Sequence, residues 1–170
     1  MPYETPTLAT DYGRGVVTEL IGRGAFDGIE RRANRVRVNR DHDLKRTVGR
    51  AIALHPSREE GLVAEIKIAR TDLGEETLTL ADDECLDASA GFRPMPGGEH
   101  WETRNRVRIT KAWLGHIALT PDPAYVDAKV LAVRAALDDV PATDRPNFEQ
   151  LRQMELERVY ADIEARYSRL

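Results

Sequence analysis

A chain of 170 residues accommodates one domain of ordinary size with a short appendage and excludes two full domains. Hydrophobic residues make up 41%, enough for a core without covalent staples, and a formal charge of -4 from 25 Lys and Arg against 29 Asp and Glu argues against a nucleic-acid binder held by phosphate contacts. The single cysteine, Cys85, excludes an internal disulfide and fits a reducing compartment; without an apolar run long enough for a bilayer or a secretory start, neither membrane insertion nor export is expected.

Residues 13–136 read mainly as short strands separated by turn chemistry. Residues 15–21 are β-branched and apolar and end at Gly22 and Gly24; residues 35–38 alternate with period two; residues 48–54 form a third run, closed by His55-Pro56. A fourth strand is predicted over 62–68, where Leu62, Ala64, Ile66 and Ile68 alternate with Val63, Glu65 and Lys67. Leu78, Ala81 and Cys85 stand at helical spacing among acids, which predicts a short helix over 75–86. Strand-like runs follow at 88–93, 107–120 and 130–134, with an exposed loop rich in Pro and Gly over 94–100.

The composition changes after Arg134. Asp138-Asp139 and the stretch 141–146 read as a linker, and Phe148, Leu151, Glu155, Val159, Ile163 and Leu170 then mark an amphipathic helix with Pro146 near its start. The expected division is therefore residues 1–136 as a β-rich domain and 137–170 as linker and C-terminal helix. Residues 138–170 hold eight acids and five arginines, whereas residues 31–50 hold eight Lys or Arg and two Asp. Two solvated surfaces explain this most simply; docking of the helix on the basic face or on an acid-tolerant partner is the sharper reading.

Among the histidines, His55 precedes a proline at a turn, and His100 lies in the Gly-rich loop beside Trp101, so both read as surface residues. His42 follows a strand within Asn39-Arg40-Asp41-His42-Asp43, and His116 sits in the apolar run Trp113 to Leu119. Ser89 lies among small residues, Leu86-Asp87-Ala88-Ser89-Ala90-Gly91-Phe92, which let a substrate backbone approach closely. A serine needs an adjacent base to become a nucleophile, and that base needs a third group to fix its tautomer and stabilise its charge. Ser89, His42 and His116 offer those residue types, but sequence spacing alone does not bring them together, and on that ground structural roles outweigh catalysis. Metal-assisted hydrolysis through Asp41, His42, Asp43 and His116 is a weaker reading, since no two of these histidines have the spacing of a zinc helix.

Several ordered blocks carry a resemblance. They are Gly24-Ala25-Phe26; Asn39-Arg40-Asp41-His42-Asp43; Thr47-Val48-Gly49-Arg50; Gly61-Leu62; Ala88-Ser89-Ala90-Gly91-Phe92-Arg93-Pro94; and Leu114-Gly115-His116-Ile117-Ala118-Leu119-Thr120-Pro121-Asp122-Pro123-Ala124-Tyr125. Over residues 12–134 the chain resembles the HK97-family phage prohead maturation proteases, which are related in fold to the herpesvirus assemblins. The resemblance implies an α+β, mainly β fold: a compact assemblin-like β-barrel with flanking short helices. It also implies a serine endopeptidase of capsid maturation that cleaves the scaffolding segment of the major capsid protein, and itself, within the assembling procapsid in the host cytoplasm.

Carried over residue by residue, the resemblance makes His42 the base, Ser89 the nucleophile and His116 the third member. Many phage relatives have an acid where His116 stands, so this chain resembles the assemblin Ser-His-His arrangement instead, and a neutral third member implies slower turnover. The backbone N–H groups of Ala90 and Gly91, with Arg93 as a weaker option, are the oxyanion candidates. No cofactor or metal is implied; the expected partners are the major capsid protein, the portal and a second copy of the chain, with no nucleic acid and no membrane. The substituted third position keeps open a second reading, a catalytically impaired protease-like assembly factor of the procapsid.

Overall fold

The computed structural model describes residues 1–9, 13, 15–59, 61–125, 127–131 and 133. Nearly all belong to one compact unit, Met1–Val130; of the second unit, Leu131–Leu170, only Leu131 and Val133 are described. The linker and helix expected over 137–170 lie outside the described residues.

In chain order the elements are β1 (Thr7–Ala9), β2 (Val17–Ile21), a 3-10 helix (Ile29–Arg35), β3 (Arg37–Arg40), β4 (Asp43–Arg58), β5 (Gly61–Ile68), α1 (Asp72–Asp82), β6 (Asp87–Pro94), β7 (Glu99–Thr103), β8 (Arg106–Ile109) and β9 (Ala112–Thr120). The fold is α+β and mainly β, as expected, but the described strands do not close into a barrel. They form two open sheets, ordered β1-β2-β8-β7 and β5-β4-β3-β9-β6. Alternation along a strand reports which face is buried; it carries no information on whether the outer strands meet.

Other boundaries differ for local reasons. The run over 107–120 is two strands in different sheets, broken at Thr110-Lys111. There Thr110 N–H donates to Gly98 O at 2.7 Å and Met95 N–H to Lys111 O at 3.0 Å, which turns the corner. Part of the expected 94–100 loop is strand, because β7 begins at Glu99 and pairs with β8. Val130, Leu131 and Val133 carry no regular structure, although their β-branched and apolar side chains predict a strand. Helix α1 starts earlier than the apolar spacing suggests, since the Thr71 hydroxyl caps it by accepting from Gly74 N–H at 3.1 Å, with Asp72 and Glu75 in the first turn.

The core includes Val17, Leu20, Ile21, Phe26, Val36, Val38, Val48, Val107, Ile109, Leu114 and Ile117, all buried. Phe26 meets Phe92 edge to face, with ring centroids 5.9 Å apart. Tyr125, which ends the Asp-Pro-Ala-Tyr block, is buried and donates its hydroxyl to buried Glu19 of β2 at 2.8 Å. That block therefore anchors the chain leaving β9 to the smaller sheet.

Candidate active site

The site forms on the larger sheet, where β3 runs parallel to β9 and antiparallel to β4. β3 and β4 are joined by two residues, Asp41 and His42, at φ 56° and 60°, and Arg40 pairs with Asp43 across them. Positive φ at both central residues is the geometry of a type I′ hairpin, whose right-handed twist suits flanking strands and which normally selects glycine or asparagine. A histidine there is strained by about 1–2 kcal/mol. The turn is braced from both sides: Arg46 Nη1 lies 3.0 Å from Asp41 Oδ2, while buried Arg40 reaches α1, donating to Thr77 Oγ1 at 3.3 Å and lying 3.5 Å from Glu76 Oε1.

This brace aims His42 at β9. His42 Nδ1 stands 2.9 Å from His116 Nε2, with the rings nearly perpendicular at 76°. One of the two nitrogens carries the proton between them. His116 has its pKa lowered, first by burial and then by the nearby His42 charge, so it favours the neutral form that can accept. Protonating His116 opposes the folded arrangement. The stability this lends is whole above the ordinary imidazole range and is lost as pH falls toward the lowered value.

The His116 ring lies across the strand pair onto β6, where Gly91 is its registered partner. A Cβ built on Gly91 would meet the ring at 2.1 Å from Cε1 and 2.3 Å from Nε2, so only the absence of a side chain gives the imidazole its seat.

Ser89 lies two residues before Gly91 on β6 and is registered with Ala118, two residues after His116 on β9. Period-two alternation puts Ser89 and His116 on the same face, as diagonal neighbours. The serine is only 4% exposed, and no hydrogen bond joins it to either histidine among the described residues. The row Asn39, Ala118, Ser89 continues across β3, β9 and β6. Asn39 is fully buried, and neither polar atom of its amide has a partner among the described residues.

The oxyanion candidates separate by direction. β6 is an outer strand, and Ala88 N–H leaves the sheet to donate to Ala128 O at 2.8 Å. Alternation turns the Ala90 N–H to that same outer side and the Gly91 N–H toward β9. Arg93 is exposed. His55 lies elsewhere, with Nε2 2.8 Å from Glu65, and His100 is in β7 of the smaller sheet. No group of three His, Cys, Asp or Glu is placed to hold a metal ion among the described residues, and none of their helices is long and apolar enough to cross a membrane.

Sequence reasoning missed the parts played by Gly91 as ring seat and Arg40 as brace. Neither leaves a local signal, because one depends on a neighbouring strand and the other on α1.

A β-rich domain presenting a His-His pair on the same sheet face as a serine has the parts of a serine hydrolase. The sequence profile of the caudovirus prohead serine proteases matches residues 6–143, and the chain belongs to that family. No characterised protein and no solved structure gives a comparable match.

Proposed function

We propose that this chain is the endopeptidase of phage capsid maturation, cleaving the scaffolding segment of the major capsid protein, and itself, inside the procapsid. The observation that carries the reading is the 2.9 Å contact between His42 Nδ1 and His116 Nε2. With Nδ1–H of His42 donating to neutral His116, the lone pair of His42 sits on Nε2, free to take the Ser89 proton.

Ser89 Oγ then attacks the peptide carbonyl while His42 Nε2 accepts its proton; that proton passes to the leaving amine, and a water deprotonated by His42 releases the acyl group. The outward Ala90 N–H is the donor directed to where an oxyanion can approach from outside the sheet. Catalytic hydrogen bonds in a free enzyme are often long and tighten when substrate binds, which accounts for the unbonded Ser89. A neutral His116 stabilises the imidazolium of His42 less than a carboxylate would, so turnover is slow. Slow chemistry suffices for an enzyme enclosed with its substrate at high local concentration. The protease domain spans 1–136; the acidic segment 137–170 serves recruitment to the capsid protein or pairing with a second copy, and the portal is a further partner.

The burial of Ser89 favours a second reading, an assembly factor that retains the protease scaffold without its chemistry. Co-expression with the major capsid protein separates the two. Wild type is expected to shorten the capsid protein and Ser89→Ala to leave it at full length, as read by intact-mass spectrometry. Equal processing by both would end the enzymatic reading.

A further inference from the structure

One row of the larger sheet is in register across all five strands: Gly91 on β6, His116 on β9, Arg37 on β3, Arg50 on β4 and Lys67 on β5. Registered partners share a face, so three cations extend in line from His116. All three are exposed. Like charges directly opposite one another on neighbouring strands destabilise a sheet, and this row places two such pairs in succession, Arg37 with Arg50 and Arg50 with Lys67.

Nothing among the described residues neutralises them. Arg37 Nη1 donates to Asn34 O at 3.0 Å and Arg50 Nη1 to Ala51 O at 3.3 Å, both uncharged backbone carbonyls, and no acid forms an ion pair with any of the three. Glu65, two residues before Lys67 on β5, lies 2.8 Å from His55 Nε2. On the other side of the site, Arg93 follows Gly91 by two residues on β6 and is exposed as well.

We propose that Arg37, Arg50 and Lys67 form a cationic track that selects substrate peptides with acidic side chains on one side of the scissile bond. The inference rests on the endopeptidase reading and supplies its specificity. Strands are about 4.8 Å apart, so the three cations lie roughly 5, 10 and 14 Å from the His116 position along the row. An extended peptide crossing the face repeats its downward side chains about every 7 Å. Two acidic side chains at alternate positions, within about four residues of the bond, match that span. A peptide is favoured over a nucleic acid because the track starts at a His-His pair beside a serine and the chain as a whole carries a charge of -4.

Two measurements test this independently. In the first, full-length Ser89→Ala protein is titrated with a fluorescent ten-residue peptide of alternating Glu and Ala, its Gln counterpart and a labelled ten-nucleotide single strand, followed by anisotropy. The Glu peptide is expected to bind at least about tenfold more tightly than the Gln peptide, as charge pairing at several exposed sites permits, and to lose that advantage when Arg37, Arg50 and Lys67 are all changed to Gln. Undiminished binding by that variant, or tighter binding of the nucleotide strand by the starting protein, would overturn the proposal. In the second, the otherwise wild-type chain digests a synthetic random-peptide mixture. Asp and Glu should be enriched on one side of the cleaved bonds, and Arg37→Glu, Arg50→Glu and Lys67→Glu together should shift the preference to Lys and Arg, moving KM for an acidic peptide about tenfold with little change in kcat. Cleavage without acid enrichment defeats the track and leaves the endopeptidase reading standing. Complete absence of cleavage defeats that reading, and the anisotropy titration then decides the track by itself.

Discussion

Glycine in place of His42 is expected to slow capsid-protein cleavage by about 10⁴-fold or more, the scale seen when the base of a serine triad is removed, without weakening the fold. His42 is held at φ 60° in a two-residue hairpin, where a side chain costs about 1–2 kcal/mol and glycine costs almost nothing. Losing the bond to His116 removes about 0.5–1.5 kcal/mol, so the two effects nearly cancel. His42→Ala loses the same bond but keeps the strain, and should therefore be less stable than His42→Gly by about 1 kcal/mol, a difference of several degrees in Tm for a domain of this size. Thermal melts of both variants beside a cleavage assay check it. A His42→Gly protein that cleaves normally, or melts well below His42→Ala, would show that the turn is not strained for the sake of the imidazole.

Alanine at Gly91 is the second large effect. Its methyl carbon would stand 2.1 Å from His116 Cε1, well inside van der Waals contact, so the ring must leave its seat and lose its alignment with His42. Displacement of an orienting group by about 1 Å is enough to cost about 100-fold in rate. The fold should bear a milder penalty of about 1–3 kcal/mol, typical of overpacking, because the half-buried imidazole can swing toward solvent. Gly91→Ala should therefore fold, lose about 100-fold in kcat and change KM little. Full kcat in a folded variant would show that His116 does not need its place over β6.

The residue types of the site were legible in the sequence: a serine among small neighbours, a histidine after a strand and another within one. Their meeting was not, because it depends on β9 lying between β3 and β6, an order that crosses more than half of the described chain. Alternation located β5 to within a residue, although burial does not follow the two faces: Leu62 and Val63, on opposite faces, are both buried, and Ala64, Glu65 and Ile66 are half-buried. It underestimated β4, whose first residues, Asp43 to Lys45, are exposed and polar or isolated in pattern and owe their strand conformation to the hairpin with β3. The 3-10 helix Ile29–Arg35 was missed because seven residues with a kink at Arg32 show no helical repeat. Charge was legible only as a local excess. That Arg37, Arg50 and Lys67 line up beside His116 follows from register, which a β-bulge between Val38 and Asn39 and another between Ala51 and Ala53 help to set.

The central claim is that Ser89 is a nucleophile activated by the His42–His116 pair. It is tested most directly by the rate at which a peptide fluorophosphonate labels the full-length chain from pH 5 to pH 8, with the adduct located by mass spectrometry. The account predicts a single adduct on Ser89, forming progressively more slowly as the pH falls toward the lowered pKa of His116 and protonation there removes the acceptor that orients His42. An adduct on another residue, or a rate at pH 5 equal to that at pH 8, would contradict it.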